Sequence, residues 1–249
     1  MSRFVRSWSV ISRSLPQFAP ARCPHARRRP MLECLEDRAL LSTIRITVSS
    51  LADSGVGTLR SAIATADVGS TTTNYVINLK TPGTITLESA LPDLSNNITI
   101  HGLGAGTSTV QRDTSLSTPF RIFTVDAGET VNISDLTIKG GNPGRGYGGG
   151  LDNFGTLAVS NSVFSGDSAF LGGGLNNAGT ATVSGSSCTG NSAGNAGGGG
   201  LFNTGTATVS DSSFTSNSAS VDGGGIKNFG TPIDGGGNTF TGNSPNDVS

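Results

Sequence analysis

The chain has 249 residues, 37 of them glycine, with 6% aromatic and 13% charged residues and a formal net charge of −1. Taken alone, such a composition suggests disorder rather than an average globular domain. No clustered basic face follows residue 43, which argues against nucleic acid as a partner, and no stretch reaches the ~18 apolar residues of a membrane span.

Residues 1–43 carry eight Arg against three acidic residues, whereas residues 44–249 carry eight Lys or Arg against 14 Asp or Glu. The first 30 residues scatter Arg and Pro without apolar periodicity and lack the apolar core of an ordinary secretory signal. This leader is expected to be disordered and separate from the fold. Its end, RRRPMLECLEDRALLST (27–43), resembles a short N-terminal motif of large exported or surface proteins of planctomycete bacteria. The match runs through Leu32, Glu33, Leu35, Glu36, Arg38, Leu40, Leu41 and Ser42, and it implies export to the cell surface, outer membrane or medium. Met31 is an alternative start.

From residue 44 the pattern is that of strands. IRITVSS (44–50), YVINL (75–79), TITL (84–87), NITIH (97–101), FRIFTV (120–125) and VNISDLTI (131–138) are short, β-branched and bounded by Gly, Pro, Asn or Asp. One helix is expected over 58–67, where Leu59, Ala62, Ile63 and Ala66 form an apolar stripe behind a Thr58 N-cap. An open stack of strands exposes unpaired backbone at its first layer, and a short amphipathic helix is a natural cover for it.

A repeat then sets in. GGGLDNFGT (148–156) returns as GGGLNNAGT (172–180), GGGLFNTGT (198–206) and GGGIKNFGT (223–231), and self-similarity at such a period marks a stacked solenoid. Each unit divides into three extended pieces, for example GGGLDN, GTLAVS and NSVFSGDSA. Stacking them defines inward columns: Leu151, Leu175, Leu201 and Ile226; Val159, Val183 and Val209; Phe164, Cys188, Phe214 and Phe240. Asn153, Asn177, Asn203 and Asn228 fall two residues after the Leu column and are expected to form a hydrogen-bonded structural ladder. Asp167, Asn191, Asn217 and Asn243 form a further turn column. In the fourth unit Pro232 replaces a strand residue and is expected to mark an edge that protects a monomer against end-to-end association.

The tetrapeptides GGGL and GGGI, each followed by FSGD, CTGN, FTSN or FTGN, resemble the paired Gly-Gly-Ala-Ile and Phe-x-x-Asn signatures of polymorphic outer membrane protein repeats. The match covers residues 148–243 and departs from the family in the third Gly, in Cys188 and in Asp167. DSGVGTLRSAIATAD with SALPDLSNNITIHGLGAG is similar to the N-terminal region of bacterial β-helix surface proteins. These resemblances imply an all-β chain: a single-stranded right-handed parallel β-helix, a pectin-lyase-like solenoid, over residues 44–249 with an N-terminal helix cap.

Chemistry is harder to read. The outward residues beside the Leu column are Asp152, Asn176, Phe202 and Lys227, so no two carboxylates adjoin there. A hydrolase on this fold needs two or three on neighbouring coils, and a lyase needs acids for Ca²⁺ and a basic residue. Asp126, Glu129 and Asp135 are the sole candidates for a weak cation site. His101 ends a strand before Gly102, where a structural role is expected, and GLGAG (102–106) reads as a turn. Cys188 takes the place of a Phe and reads as a buried apolar residue. The expectation is therefore a non-enzymatic surface or adhesion module without catalytic residues, metal or cofactor, with a cell-surface glycan or protein as partner. The alternatives are a polysaccharide lyase or hydrolase relative and a structural spacer of the cell surface.

Overall fold

The computed structural model describes residues 42–194, 197–231, 233 and 235–249; nearly all of the leader, and Pro232 with its expected edge role, lie outside them. The first strand, Ser42–Val48, begins two residues ahead of the expected start and pairs in parallel with Thr73–Leu79. The same sheet continues through Ile98–His101, Thr130–Ser134, Thr156–Ser160, Thr180–Ser184 and Thr206–Ser210. A second sheet runs from Gly83–Leu87 through Ser108–Arg112, Thr137–Lys139, Val163–Ser165, Ser187–Thr189 and Ser213–Thr215 to Thr239–Thr241. The third contains Phe123–Val125, Leu151–Asn153, Leu175–Asn177, Leu201–Asn203 and Ile226–Asn228. Every strand pairs with its equivalent one coil away, so the architecture is a parallel β-helix.

Three details differ from the sequence reading. VNISDLTI is split at Asp135, whose φ of 61° turns the chain from the first sheet into the second. Ser108–Arg112 is a strand although Val110 is its one apolar residue. Each repeat also gains a fourth paired piece, since Ser168–Ala169, Ser192–Ala193 and Ser218–Ala219 form a short sheet of their own. Two residues are too few for alternation to be visible.

Helix α1 (Leu59–Asp67) begins at Thr58, whose hydroxyl oxygen accepts from the Ser61 N–H at 3.3 Å. It buries Leu59, Ala62, Ile63 and Ala66 and packs against Ser42–Val48 and Thr73–Leu79, the first two strands of the first sheet.

Leu151, Leu175, Leu201 and Ile226 are in register and buried. So are Val159, Val183 and Val209, with a further inward column of Leu157, Ala181 and Ala207 beside them. Phe164, Cys188 and Phe214 are buried in register, and Phe240 stacks on Phe214 at 5.2 Å while remaining half-buried. Burial also pushes the Cys188 thiol far up, so it remains a thiol.

The glycine triplets solve a crossing problem. The first member, at 148, 172, 198 and 223, has φ between 58° and 72° and lies against the strand that follows; a Cβ on Gly198 would sit 2.6 Å from Phe202 Cβ. The second member meets the next coil, where a Cβ on Gly173 would be 2.5 Å from Gly199 O. Neither position has room for a side chain.

Two ladders run beside the apolar columns. Asn153 Nδ2 donates to Asn177 Oδ1 at 2.6 Å, Asn177 to Asn203 at 2.7 Å and Asn203 to Asn228 at 2.7 Å. In the turn column, the backbone N–H groups of Asp167, Asn191 and Asn217 donate to Oδ1 of Asn191, Asn217 and Asn243 at 2.9–3.0 Å.

Candidate functional site

The outward face of the third sheet is where the coils before the glycine repeats contribute chemistry. Leu94 bridges Val125 in parallel, so Asp93 stands level with Thr124, and Thr124 is in register with Asp152. Asn176, Phe202 and Lys227 continue the row. Two residues further along each coil, Ser95, Asp126 and Phe154 form a second row. Asp67, the last residue of α1, is fastened to it because the Ser95 N–H donates to Asp67 Oδ1 at 3.1 Å.

The four aspartates divide by environment. Asp152 is 1% exposed; Arg121 Nη1 lies 2.6 Å from its Oδ2, and Asn176 Nδ2 donates to its Oδ1 at 2.7 Å. Burial pushes Asp152 above the usual carboxylate range, with Asn176 and Arg121 opposing it. This network of paired polar groups is part of the outward row itself. Asp67, Asp93 and Asp126 reach the surface in varying degree. Asp67 is pushed up to about 6, first by burial and further by the negative charges of Asp126 and Asp93, against the Ser95 backbone hydrogen bond. Asp126 is raised by burial and by Asp93. Carboxyl groups with raised proton affinity are among the parts from which acid–base catalysis is built.

Aromatic rings flank these acids. Phe154, directly after Asn153, is 44% exposed, and Phe229, at the equivalent corner two coils beyond the next, is 64% exposed. Phe202 packs edge-on against Phe229 at 5.8 Å, and Lys227 Nζ lies 4.7 Å from the same ring. Ahead of the glycine triplet, Tyr147 stacks on Phe170 at 6.3 Å. Exposed rings beside carboxylates present apolar faces of the kind that sugar rings lie against.

The Asn ladder and the core columns lie inside the coil or along its corners and do not enter this face. The expected cation set does not assemble: Glu129 precedes the strand Thr130–Ser134 and Asp135 follows it, roughly 20 Å apart over six extended steps. Among the described residues no group of three or more His, Cys, Asp or Glu is placed to hold a metal ion. His101 accepts or donates a hydrogen bond with Ser134 across adjacent coils. Sequence reasoning followed the outward row from Asp152 onward, so it missed Asp93 and Asp67 and singled out Asp126 only as a candidate cation ligand with Glu129 and Asp135. Those coils lack the glycine signature, and the pairing Leu94–Val125 that aligns them is a single bridge.

No family model matches the chain, and no curated protein matches it. One solved structure does: the pectin methylesterase PemA from Erwinia chrysanthemi, with 16% identity and a TM-score of 0.49, over 78% of this chain and 66% of that one. The match thus spans slightly less than two thirds of the esterase. That protein is an enzyme, against the expectation from the sequence that the present chain is non-enzymatic. No helix among the described residues is long and apolar enough to cross a membrane. The chain is an all-β parallel β-solenoid, a fold it shares with a pectin methylesterase.

Proposed function

We propose that the protein is an exported polysaccharide-active β-helix protein of the hydrolase type. It works at the cell surface, as the resemblance of its leader motif to those of surface proteins suggests. The observation that carries the proposal is the grouping of Asp67, raised to about 6, with Asp126 and Asp93 beside the exposed Phe154 ring. In this reading Asp67 holds the proton that a departing glycosidic oxygen needs. Asp126 activates the attacking water, and Phe154 carries a sugar ring. Arg121, Asp152 and Asn176, paired with one another in the outward row, hold the adjoining strands in place.

The charge of the face narrows the substrate. Three accessible carboxylates repel a polyuronate, so a neutral or amino-sugar polymer fits better. The test is to incubate the full chain with neutral, amino-sugar and uronate polysaccharides and to follow reducing-end release. Release from a neutral or amino-sugar polymer, lost in Asp67→Asn, is expected. Binding to a glycan without release, or release unaffected by Asp67→Asn, would overturn the hydrolytic reading.

A further inference from the structure

On a different face, the first sheet carries an outward row in register: Asn78, His101, Ser134, Ser160, Ser184 and Ser210. Within it His101 Nδ1 and Ser134 Oγ are 2.8 Å apart. That separation is the contact a serine nucleophile makes with its base. Both residues sit on paired strands rather than on loops, so the sheet sets their spacing. The segment after His101 is tied to Ser134's own strand and the turn after it, since the Gly102 N–H donates to Ser134 O at 2.9 Å and the Gly104 N–H to Asp135 O at 2.8 Å.

A groove of about 410 Å³ begins at the next corner. Asn161, Ser162, Ser186, Asp211 and Ser212 line it, together with Ala105 from the His101 loop. The hydroxyl row and this groove adjoin, since Asn161 and Asp211 directly follow Ser160 and Ser210. The result is a track of hydroxyl groups that leads to a His–Ser pair at one end.

We propose that His101 and Ser134 form a second catalytic site, one that removes acyl groups esterified to a polyhydroxyl chain laid along the Ser160–Ser184–Ser210 row. Ser134 Oγ bonds to the ester carbonyl carbon while its proton passes to His101 Nδ1. The bond from that carbon to the alcohol oxygen then breaks, and His101 returns the proton to the departing alcohol. Water attacks the acyl-serine, its proton passing to His101; the carbon–Oγ bond breaks, the acid leaves and Ser134 regains its proton. The site does not depend on the acidic face of the third sheet.

The experiment treats the full chain with a serine-directed fluorophosphonate and measures, in parallel, p-nitrophenyl acetate hydrolysis as a function of pH. Mass spectrometry is expected to find the label on Ser134. His101→Ala should slow both labelling and hydrolysis by about 10²-fold with an unchanged circular dichroism spectrum, while Ser218→Ala, at an exposed serine of the short fourth sheet outside the row and the groove, should leave both unchanged. Label spread evenly over Ser134, Ser160 and Ser184, no label at all, or an unaltered rate in His101→Ala would overturn the proposal.

Discussion

The backbone N–H of Asp167 donates to Asn191 Oδ1 at 2.9 Å, yet Asp167 cannot play Asn191's other part. The asparagines of this column use Nδ2 to reach a carbonyl of the preceding coil: Asn191 donates to Phe164 O at 3.1 Å, Asn217 to Cys188 O at 2.8 Å and Asn243 to Phe214 O at 2.9 Å. Asp167 has an oxygen there, and its Oδ2 is buried without a hydrogen-bond partner. Burial raises its carboxyl well above the ordinary range, against hydrogen bonds from Gly141 and Ser165.

The sign of the pH effect follows. An acid whose folded-state value lies above its unfolded ~3.9 keeps its proton in the fold. Its contribution is fully present below about pH 4 and declines as pH rises towards the folded value. Asp167→Asn supplies the missing donor towards Ile138 O, the equivalent carbonyl one coil earlier. It should stabilise the protein at neutral pH by about 1–3 kcal/mol and flatten that decline. Denaturant melts of both proteins at pH 4 and pH 7 check it; equal stability at both values in the parent would count against a protonated Asp167.

Phe214 is 1% exposed between Cys188 and Phe240. Phe214→Ala should cost about 3–5 kcal/mol, the usual loss for a buried ring whose space cannot close. Phe240→Ala, at a half-buried position, should cost less, and urea midpoints of the two variants will rank them.

Asn203 both accepts from Asn177 and donates to Asn228. Replacing it with Ala leaves Asn177 Nδ2 short of one acceptor and Asn228 Oδ1 short of a donor in a buried ladder, a loss of about 1–3 kcal/mol. Asn228→Ala removes only the last rung and should be milder, as thermal unfolding will report.

Asp67→Asn should lower polysaccharide hydrolysis by about 10²–10⁴-fold and abolish the alkaline limb of the pH–rate profile. In the parent, activity should fall as pH rises through about 6, where Asp67 loses its proton. A parent profile flat between pH 5 and pH 7 would argue that Asp67 is not the acid.

The sequence disclosed the repeating half of this molecule more fully than the half that carries the site. Leu151, Val159 and Phe164 recur at one spacing, and recurrence exposes a column even where a single short strand would be ambiguous. Asp93 and Asp126 belong to coils of unequal length without the triplet, so their alignment rests on backbone pairing that no local pattern announces. Asp67 arrives from a helix, and its place against Ser95 depends on how that helix lies on the first two strands. The carboxylates nearest the aromatic corner were therefore legible as scattered acids but not as neighbours.

The spacing of the repeats carries a consequence for how such a chain can change. From Leu151 to Ser168, Leu175 to Ser192 and Leu201 to Ser218 is 17 residues each time, whereas from Ser168 to Leu175 is seven, Ser192 to Leu201 nine and Ser218 to Ile226 eight. Across the first three repeats the variation of the period is thus absorbed in one turn, the one that brings the chain back through the glycine triplet to the third sheet; the fourth coil adds one residue elsewhere, between Ile226 and Phe240. Insertions there alter the ledge above the outward row while every inward column keeps its register. A lineage of these proteins can reshape what it grasps by lengthening that one turn, at little risk to the stack that holds it.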